Sequence, residues 1–319
     1  MPATSTTAAP AGRSWLSVAE RGSTLGMRFV VWCYRLAGRR FCQVLIWPVV
    51  LYFFLTDRRG RRASLRYLRR LDVRPGGREA LGGRPGWRHS FRHYLEYGLS
   101  ILDRVGFWLG REDAYAIEFN GAGVFARLRE ERRGAIVLGA HLGSFDALRV
   151  LARRGGTVVN VVMYIGHARM INSIFHALDR NASLRLIQLD PTSINSVFAI
   201  KDCIDRGELV ALLADRVGIG DDKRTGPGEF LGDRTLFPHG PFLLASLLRC
   251  PLVFMVALRA GGGRYRAFAE LVAEKVAVSG PDDLDALVAD YAARLERYCL
   301  VAPYQWFNFY DYWGDDGGR

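Results

Sequence analysis

A histidine and an aspartate five residues apart are the residues of this chain whose spacing first suggests chemistry. His141 follows an uncharged apolar run at 135–140, and Asp146 comes shortly after Gly143-Ser144. The apolar run is typical of a buried parallel strand, and the Gly-Ser pair before helically spaced apolar residues indicates the start of a helix. An imidazole at a strand end, beside a carboxylate in the first turn of a helix, suits a general base with an orienting partner.

This spacing alone carries little information, because a chain with six histidines and 32 acidic residues produces such a match by chance. A histidine with a structural role is therefore the alternative interpretation. The two side chains cannot meet if both lie on one ideal helix, since they would point about 140° apart. With His141 before the helix cap, however, Asp146 can reach Nδ1 of the imidazole.

Helices and strands alternate along the chain after residue 120. We predict helices at 121–132, 144–154, 168–180, 193–206, 241–249 and 282–300, strands at 135–140, 157–163, 184–189, 208–214, 251–258 and 264–272, and a glycine-rich loop over 216–240. Repeated strand–helix–strand units form a largely parallel sheet with helices on both faces. The predicted fold class is therefore α/β, with a mainly parallel sheet flanked by helices and an N-terminal membrane-associated helical segment.

Ligands in such sheets bind beyond the carboxyl ends of the strands. Besides His141, the polar residues predicted there are Arg169 and Asn172 after the second strand and Asp215-Arg216 after the fourth. Arg169 is a candidate for binding an anionic head group or a thioester oxygen, and a solvated helix arginine is the alternative. The sequence has no GxSxG nucleophile elbow, no phosphate-binding P-loop and no GxGxxG after a strand, so nucleotide and redox cofactors are not expected.

Positive charge is concentrated near the N-terminus. The whole chain carries +12, residues 1–92 alone contribute +14, and the remainder contributes −2. An uncharged apolar run at 41–55 is flanked by arginines on both sides, which suggests that both ends stay on one face of a membrane with the segment in the interface or re-entrant. A single span and an ordinary buried helix are the alternatives. The apolar run within the arginine-rich segment argues against a nucleic-acid binder.

Composition divides the chain into a disordered N-terminus (1–24), a basic membrane-associated helical segment (25–71), a Gly/Pro-rich linker (72–88) and an α/β domain (89–319). Five scattered cysteines without a CxxC pair argue against a zinc site and favour a reducing compartment. His89, His93 and Glu96 share a predicted helix, but without a further ligand cluster we expect no metal there and place both histidines on a solvated face.

The segment His141-Leu-Gly-Ser-Phe-Asp146 resembles the His-x4-acid motif of the lysophospholipid acyltransferase superfamily, and particularly its late lipid A (lauroyl/myristoyl) acyltransferase branch. Three further segments resemble that branch in the same order, at 209–215, 230–245 and 250–253. Two features depart from it. Arg216 stands where the branch usually has Gln, and residues 303–313 are aromatic and acidic where it has a Trp followed by basic residues. This ending is similar to acyltransferases associated with aryl-polyene clusters.

The resemblance implies transfer of an acyl group from an acyl carrier protein or CoA thioester to a hydroxyl of a lipid or glycolipid. It implies that His141 is the general base, oriented by Asp146, and that the oxyanion is stabilised by backbone amides near Gly143 or Gly240 or by a cation. Substrate-binding roles follow for Arg169, Asn172, Asp215, Arg216, Phe230, Gly240 and Pro241.

The same resemblance implies no cofactor other than the acyl donor and no metal. Its expected partners are membrane lipid and the carrier protein or CoA, with no nucleic acid, at the cytoplasmic face of a bacterial inner membrane. The alternative functions are an acyl-thioester hydrolase and a non-catalytic membrane-associated binding protein. The acceptor, the acyl chain length and the oligomeric state are not specified.

Overall fold

Residues 24–164, 184–189, 194–217 and 225–314 are described by a computed structural model of the chain. The helices in these ranges are α1 (Thr24–Thr56), α2 (Arg58–Asp72), α3 (Gly77–Leu81), α4 (Trp87–Trp108), α5 (Ala122–Glu130), α6 (Phe145–Arg154), α7 (Asn195–Asp205), α8 (Gly240–Leu248) and α9 (Pro281–Val301). The strands are β1 (Ala116–Asn120), β2 (Ala135–Gly139), β3 (Val159–Tyr164), β4 (Leu184–Leu189), β5 (Leu209–Leu213), β6 (Thr225–Phe230), β7 (Asp233–Pro238), β8 (Leu252–Gly261) and β9 (Arg264–Ala273). The helix predicted at 168–180 lies outside the described residues.

Within the described ranges, seven strands form one sheet in the order β1-β9-β8-β2-β5-β3-β4. β8 and β9 are antiparallel, and all other neighbours run parallel. The predicted α/β fold with a mainly parallel sheet is therefore confirmed. The edge strand β1 was not predicted, because its five residues are exposed or half-buried and lack the apolar run of a central strand.

The central strand β2 explains how helices cover both faces of the sheet. All five of its residues are buried, and successive side chains point to opposite faces. Ile136 and Leu138 belong to the larger core cluster, together with residues of α2, α7, α8 and α9. Ala135 and Val137 belong to a second cluster that α5 and α6 complete. Burial on both faces is the reason that the run is apolar without interruption.

The predicted loop over 216–240 is wrong from residue 225 onward. β6 and β7 form an antiparallel hairpin there, closed by Leu231 and Gly232 with positive φ angles of 54° and 86°. Two positive φ values are the backbone conformation that a tight hairpin turn requires. Glycine and proline in β6 concealed the strand, yet Gly228 has a packing reason, because a Cβ there would lie 2.7 Å from the Phe237 ring.

Helix α2 packs into the main body of the protein. Tyr67, Leu68 and Leu71 are fully buried in the same core cluster as the sheet. The predicted linker contains α3, and the carbonyl of its buried Leu81 accepts a hydrogen bond from Tyr304 Oη at 2.8 Å. The boundaries at 71 and 88 stay predictions, but residues on both sides of them share one core.

Helix α1 buries one side and exposes the other. Its inner side packs on α4 so closely that a Cβ at Gly98 would lie 2.6 Å from Val50 Cγ2. Its outer side exposes large apolar residues, namely Trp32, Leu36, Phe41, Val44, Trp47, Val49, Leu51, Tyr52 and Leu55. In the part of the chain that the structure describes, one helical stretch, Val30–Thr56, is long and apolar enough to cross a membrane by length and composition.

Candidate active site

The site is built on two neighbouring strand ends. β2 and β5 are parallel and pair Gly139 with Leu213, so residues two positions beyond each end are brought side by side. These residues are His141 and Asp215. The carboxyl edge of the sheet therefore joins an imidazole and a carboxylate that are 74 residues apart in the chain.

His141 and Asp215 share two hydrogen bonds. His141 Nδ1 lies 2.8 Å from Asp215 Oδ1, and the backbone N–H of His141 donates to Asp215 Oδ2 at 2.9 Å. An ionised carboxylate only accepts, so Nδ1 carries the proton and Nε2 is the basic nitrogen. The carboxyl group of Asp215 is completely buried, whereas 27% of the His141 side chain is exposed. A reactant can therefore reach the imidazole but not the carboxylate.

The charges around this pair keep the imidazole neutral and the carboxylate ionised. Burial and the Arg216 charge lower the pKa of His141 below its usual value, although Asp215 acts in the opposite direction. Burial alone would raise the pKa of Asp215, but His141 and Arg216 outweigh it and hold that pKa well below its usual range. At neutral pH the site thus contains the unprotonated base that proton abstraction needs.

Asp146 does not have the contact that the sequence predicted for it. Its Oδ2 accepts from Arg104 Nε at 2.9 Å and its Oδ1 accepts from Trp108 Nε1 at 2.9 Å. Both donors belong to α4, which the first turn of α6 faces. Asp215 is the carboxylate bonded to Nδ1 of His141, so the predicted contact between Asp146 and Nδ1 is wrong.

The helix start that precedes Asp146 does have the predicted form. Ser144 Oγ accepts from the Ala147 N–H at 3.2 Å, as an N-cap does. Asp146 lies in the first turn of α6 and is buried. Its carboxylate raises the pKa of Arg104, although burial acts against this, and the Arg104 charge is among those that lower the pKa of His141.

Arg216 is held beside the pair by the C-terminal residues. Its Nε donates to Asn308 Oδ1 at 2.5 Å, and its Nη2 donates to the Phe307 carbonyl at 2.8 Å. Nη1 has no hydrogen-bond partner in the described part of the chain. The sequence placed Arg216 at this strand end, and the structure brings its charge close enough to affect His141.

The backbone amides of Gly143 and Ser144, shortly after His141, already have partners. Gly143 N donates to the Gln305 carbonyl at 2.9 Å, and Ser144 N donates to the Ala257 carbonyl at 2.8 Å. The Gly143 backbone has φ of 76°, and a Cβ there would lie 2.0 Å from that carbonyl oxygen of Ala257. Only glycine fits this approach. The amide N–H groups of both residues are thus unavailable to bind an oxyanion.

Sequence reasoning missed the contribution of the C-terminal residues. Trp306 Nε1 and Asn308 Nδ2 donate to Asp215 Oδ2 at 3.0 Å and 3.2 Å, and the Phe307 N–H donates to the His141 carbonyl at 2.7 Å. These residues follow α9 without regular secondary structure, so no periodicity marks them. Their unusual aromatic composition was the available signal.

The remaining predicted substrate-binding residues lie further from the imidazole or outside the described ranges. Phe230 is buried against the Trp306 ring, with the ring centroids 5.1 Å apart. Gly240 and Pro241 begin α8. Phe242 of this helix packs on Tyr291, whose Oη donates to the carbonyl of Gly139. Arg169 and Asn172 lie outside the described residues.

The histidines predicted on a solvated face of α4 are not alike. His93 is fully buried, which lowers its pKa to about 4, and its ring lies between Ser64 Oγ and the Trp306 carbonyl. His89 Nδ1 accepts from the Gly86 N–H at the start of α4. The expectation for His93 is therefore wrong. Among the described residues, no group of three or more His, Cys, Asp or Glu side chains is arranged to hold a metal ion.

Comparison with known families gives a match over the region that contains this site. The family model described as bacterial lipid A biosynthesis acyltransferase matches residues 89–314. The matched region extends from the start of α4 to the C-terminal residues around Trp306, and it includes both strand ends of the site. A search of curated proteins found no match to the chain.

Proposed function

The chain belongs to the bacterial lipid A biosynthesis acyltransferase family, and from this premise we propose that it transfers an acyl group from a thioester to a hydroxyl of a membrane lipid or glycolipid. Membership makes the protein an acyltransferase that acts on lipid. The thioester donor, on acyl carrier protein or CoA, the residues that act and the membrane location belong to the proposal. The hydrogen bond between His141 and Asp215 is the observation that carries it.

His141 is the general base. With Nδ1 donating to Asp215, Nε2 accepts the proton of the acceptor hydroxyl as the oxygen attacks the thioester carbonyl carbon. The new C–O bond gives a tetrahedral oxyanion, which collapses with loss of the thiolate as the C–S bond breaks. The imidazolium returns its proton to the leaving sulfur, so no covalent enzyme intermediate is needed. Asp215 stabilises the imidazolium without taking its proton.

Arg216 stabilises the oxyanion. Its charge is close enough to lower the pKa of His141, and the partners of its Nε and Nη2 fix the guanidinium. Since the amides of Gly143 and Ser144 already have partners, the amides near Gly240 and a cation remain of the groups that the sequence suggested, and Arg216 is the cation whose charge acts most strongly on His141. A fixed positive charge in a site shielded from water stabilises a developing negative charge strongly.

Asp146 acts at a distance from the imidazole. It neutralises Arg104 and joins α6 to α4 at the edge of the site. In this role the acid of the His-x4-acid spacing holds Arg104 in position and compensates its positive charge.

The membrane location rests on the outer side of α1. Exposed apolar side chains there continue into exposed arginines at Arg58, Arg59 and Arg62, a combination suited to lipid tails beside anionic head groups. A series of aromatic contacts runs from this helix to the site, through Trp47, Phe91, Phe54, Tyr94, Phe309, Tyr97 and Phe307. Phe307 bonds to the backbone of His141. The apolar surface of α1 is thus continuous with the packing around His141, which supports a location of the site close to the bilayer.

Comparative lipid analysis tests the proposal. Cells that express the wild-type chain are compared by mass spectrometry with cells that express His141→Ala at the same level. We expect one lipid class to lack an acyl chain in the mutant. His89→Ala is the matched control, because His89 caps α4 and lies outside the proposed machinery. Identical lipid profiles in cells with a folded His141→Ala protein would contradict the proposal.

The two alternative functions give different results in vitro. Purified protein is supplied with palmitoyl-CoA, with and without vesicles of the host's total polar lipids. Release of CoA that depends on the vesicles, together with a new acylated lipid, indicates a transferase. Release that is independent of the vesicles indicates a hydrolase, and no release with either palmitoyl-CoA or palmitoyl-acyl carrier protein indicates a binding protein.

A further inference from the structure

The C-terminal tail, defined here as residues 303–313, lies across the strand ends that carry the catalytic pair. Oδ2 of Asp215 accepts three hydrogen bonds, from the backbone N–H of His141, from Trp306 Nε1 and from Asn308 Nδ2. Oδ1 is thereby left to Nδ1 of the imidazole. One oxygen of the carboxylate thus accepts from the imidazole and the other accepts from three donors, two of which belong to the tail.

The tail is fixed to the backbone on both sides of His141. The Phe307 N–H donates to the His141 carbonyl at 2.7 Å, and the Gly143 N–H donates to the Gln305 carbonyl at 2.9 Å. The Gln305 side chain bonds to both backbone groups of Arg259, at 2.8 Å and 2.7 Å. The position of the tail is therefore tied to β8 and to the loop that follows β2.

A buried chain of hydrogen bonds holds Trp306 from its other side. The Trp306 carbonyl lies 2.9 Å from His93 Nε2 and can only accept, so Nε2 carries the proton of that ring. His93 Nδ1 then accepts from Ser64 Oγ, which in turn accepts from Ser90 Oγ. Every member of this chain has a partner, which makes the arrangement rigid.

We propose that Trp306 and Asn308 are positioning residues, which hold the plane of the Asp215 carboxylate in the orientation that points one oxygen at Nδ1 of His141. The torsion that turns a carboxylate is soft, so packing alone does not fix the direction of its lone pairs. Donors fixed by the rest of the fold do fix it, and in a buried site their effect is strong. The kinetic part of this inference rests on the proposed acyl transfer, whereas the spectroscopic part does not.

Two tryptophan variants provide a matched comparison. Trp306→Phe keeps an aromatic ring and removes the Nε1 donor. Trp313→Phe makes the same chemical change in the neighbouring ring, whose Nε1 has no hydrogen-bond partner in the described part of the chain. With palmitoyl-CoA and host lipid vesicles, we expect Trp306→Phe to lower kcat about tenfold with KM little changed, as for loss of a supporting hydrogen bond. Trp313→Phe is expected to retain wild-type kcat.

Two variants at Asn308 separate its contacts. Asn308→Ala loses both the donor to Asp215 and the acceptor for Arg216, whereas Asn308→Asp keeps the acceptor, loses the donor and places a second carboxylate beside that of Asp215. If Asn308 acts through Asp215, Asn308→Asp is impaired at least as strongly as Asn308→Ala. If Asn308→Asp restores kcat, the residue acts through Arg216 and the inference is wrong for Asn308.

The tautomer of His141 gives a measurement that does not need activity. Nitrogen-15 histidine labelling shows which ring nitrogen is protonated, and the His141 signals are those absent from His141→Ala. We expect the Nδ1-protonated tautomer in the wild type and in Trp313→Phe. In Trp306→Phe and Asn308→Ala we expect an increased share of the Nε2-protonated form. Asp215, Arg216 and Arg104 are the charged groups that act on this ring in the structure. All three are present in these variants, and only Asn308→Ala removes a partner of one of them, the acceptor for Arg216 Nε.

The outcomes distinguish the two proposals. A tautomer shift in a wild-type protein that transfers no acyl group leaves the positioning role intact and overturns the proposed function. Normal transfer with identical tautomers in all variants overturns the positioning role. Thermal melting identifies a variant that fails to fold. Should Trp306→Phe fail in this way, the Asn308 pair decides the question alone.

Discussion

Two buried carboxylates, Asp146 and Asp215, lie on the same side of the sheet's strand ends and differ in their partners. Each accepts a hydrogen bond from an indole N–H, from Trp108 and Trp306 respectively. Only Asp215 bonds to the imidazole of His141. The carboxylate close in sequence is thus not the one that contacts the imidazole.

Register explains the difference. Asp215 is brought to His141 because the parallel strands β2 and β5 end level with each other. A short sequence motif contains no information about this pairing. Asp146 is close in sequence, but the first turn of α6 directs its carboxylate to Arg104 on α4. A motif spacing therefore identifies a region of the fold, and strand pairing decides which side chains meet in it.

Asp215→Asn is expected to have the largest effect on this comparison. An amide in place of the carboxylate can present N–H to Nδ1, which reverses the tautomer and removes the charge that supports the imidazolium. We expect kcat to fall about 10⁴-fold, as when the acid of a comparable triad is replaced by its amide. Turnover of palmitoyl-CoA with host lipid vesicles measures it.

The pH dependence of the residual activity of Asp215→Asn provides a second measurement. Asp215 acts to raise the pKa of His141, so its loss should move the acidic limb of the rate profile to lower pH. A folded Asp215→Asn protein with nearly wild-type kcat would show that the imidazole does not need this partner.

Arg216→Gln is expected to have the next largest effect. Loss of an oxyanion-stabilising group lowers kcat about 10²-fold. Because the Arg216 charge lowers the pKa of His141, its removal brings that pKa closer to the usual value. The base is active only when neutral, and activity is lost as the pH falls through this pKa. The acidic limb should therefore move to higher pH, in the direction opposite to that in Asp215→Asn.

Arg104→Gln serves as the matched variant for that prediction. Its charge also lowers the pKa of His141, but less than that of Arg216. The acidic limb should move in the same direction by a smaller amount. A larger shift in Arg104→Gln than in Arg216→Gln would reverse the assignment of the two arginines.

Asp146→Asn should have a smaller effect, because the residue acts through Arg104. The amide oxygen can still accept one of the two hydrogen bonds, while the charge that neutralises the guanidinium is lost. Since Arg104 is 44% exposed, solvent screens the pair, and we expect a loss of only about 1 kcal/mol in unfolding free energy. Activity should fall about tenfold, in the range typical of groups that support a catalytic residue. A loss of activity as large as that of Asp215→Asn would mean that Asp146 acts on the imidazole itself.

The sequence predicted the central strands β2, β5 and β8 well because they are buried on both faces and read as apolar runs. It also located His141 and Asp215 at strand ends, since both follow such runs directly. It could not pair them, because strand order and register depend on contacts between distant segments.

Two other features could not be predicted from the sequence, for physical reasons. The tail has no repeating pattern, and its role depends on its position in the fold after the end of α9. Burial of His93 depends on a hydrogen bond to a carbonyl 213 residues away. A histidine on an amphipathic helix gives no sign of that partner, so it was assigned to solvent.

Trp108→Phe is expected to have the smallest effect and is the most direct test of the comparison. It removes the indole donor to Asp146 at 2.9 Å, as Trp306→Phe removes the donor to Asp215 at 3.0 Å. The salt bridge with Arg104 remains, so the position of Asp146 should hardly change. We expect a loss of about 1 kcal/mol in stability, typical of one hydrogen bond, and an unchanged kcat. Equal losses of kcat in the two tryptophan variants would mean that both carboxylates support the base, and that the difference between them is one of degree.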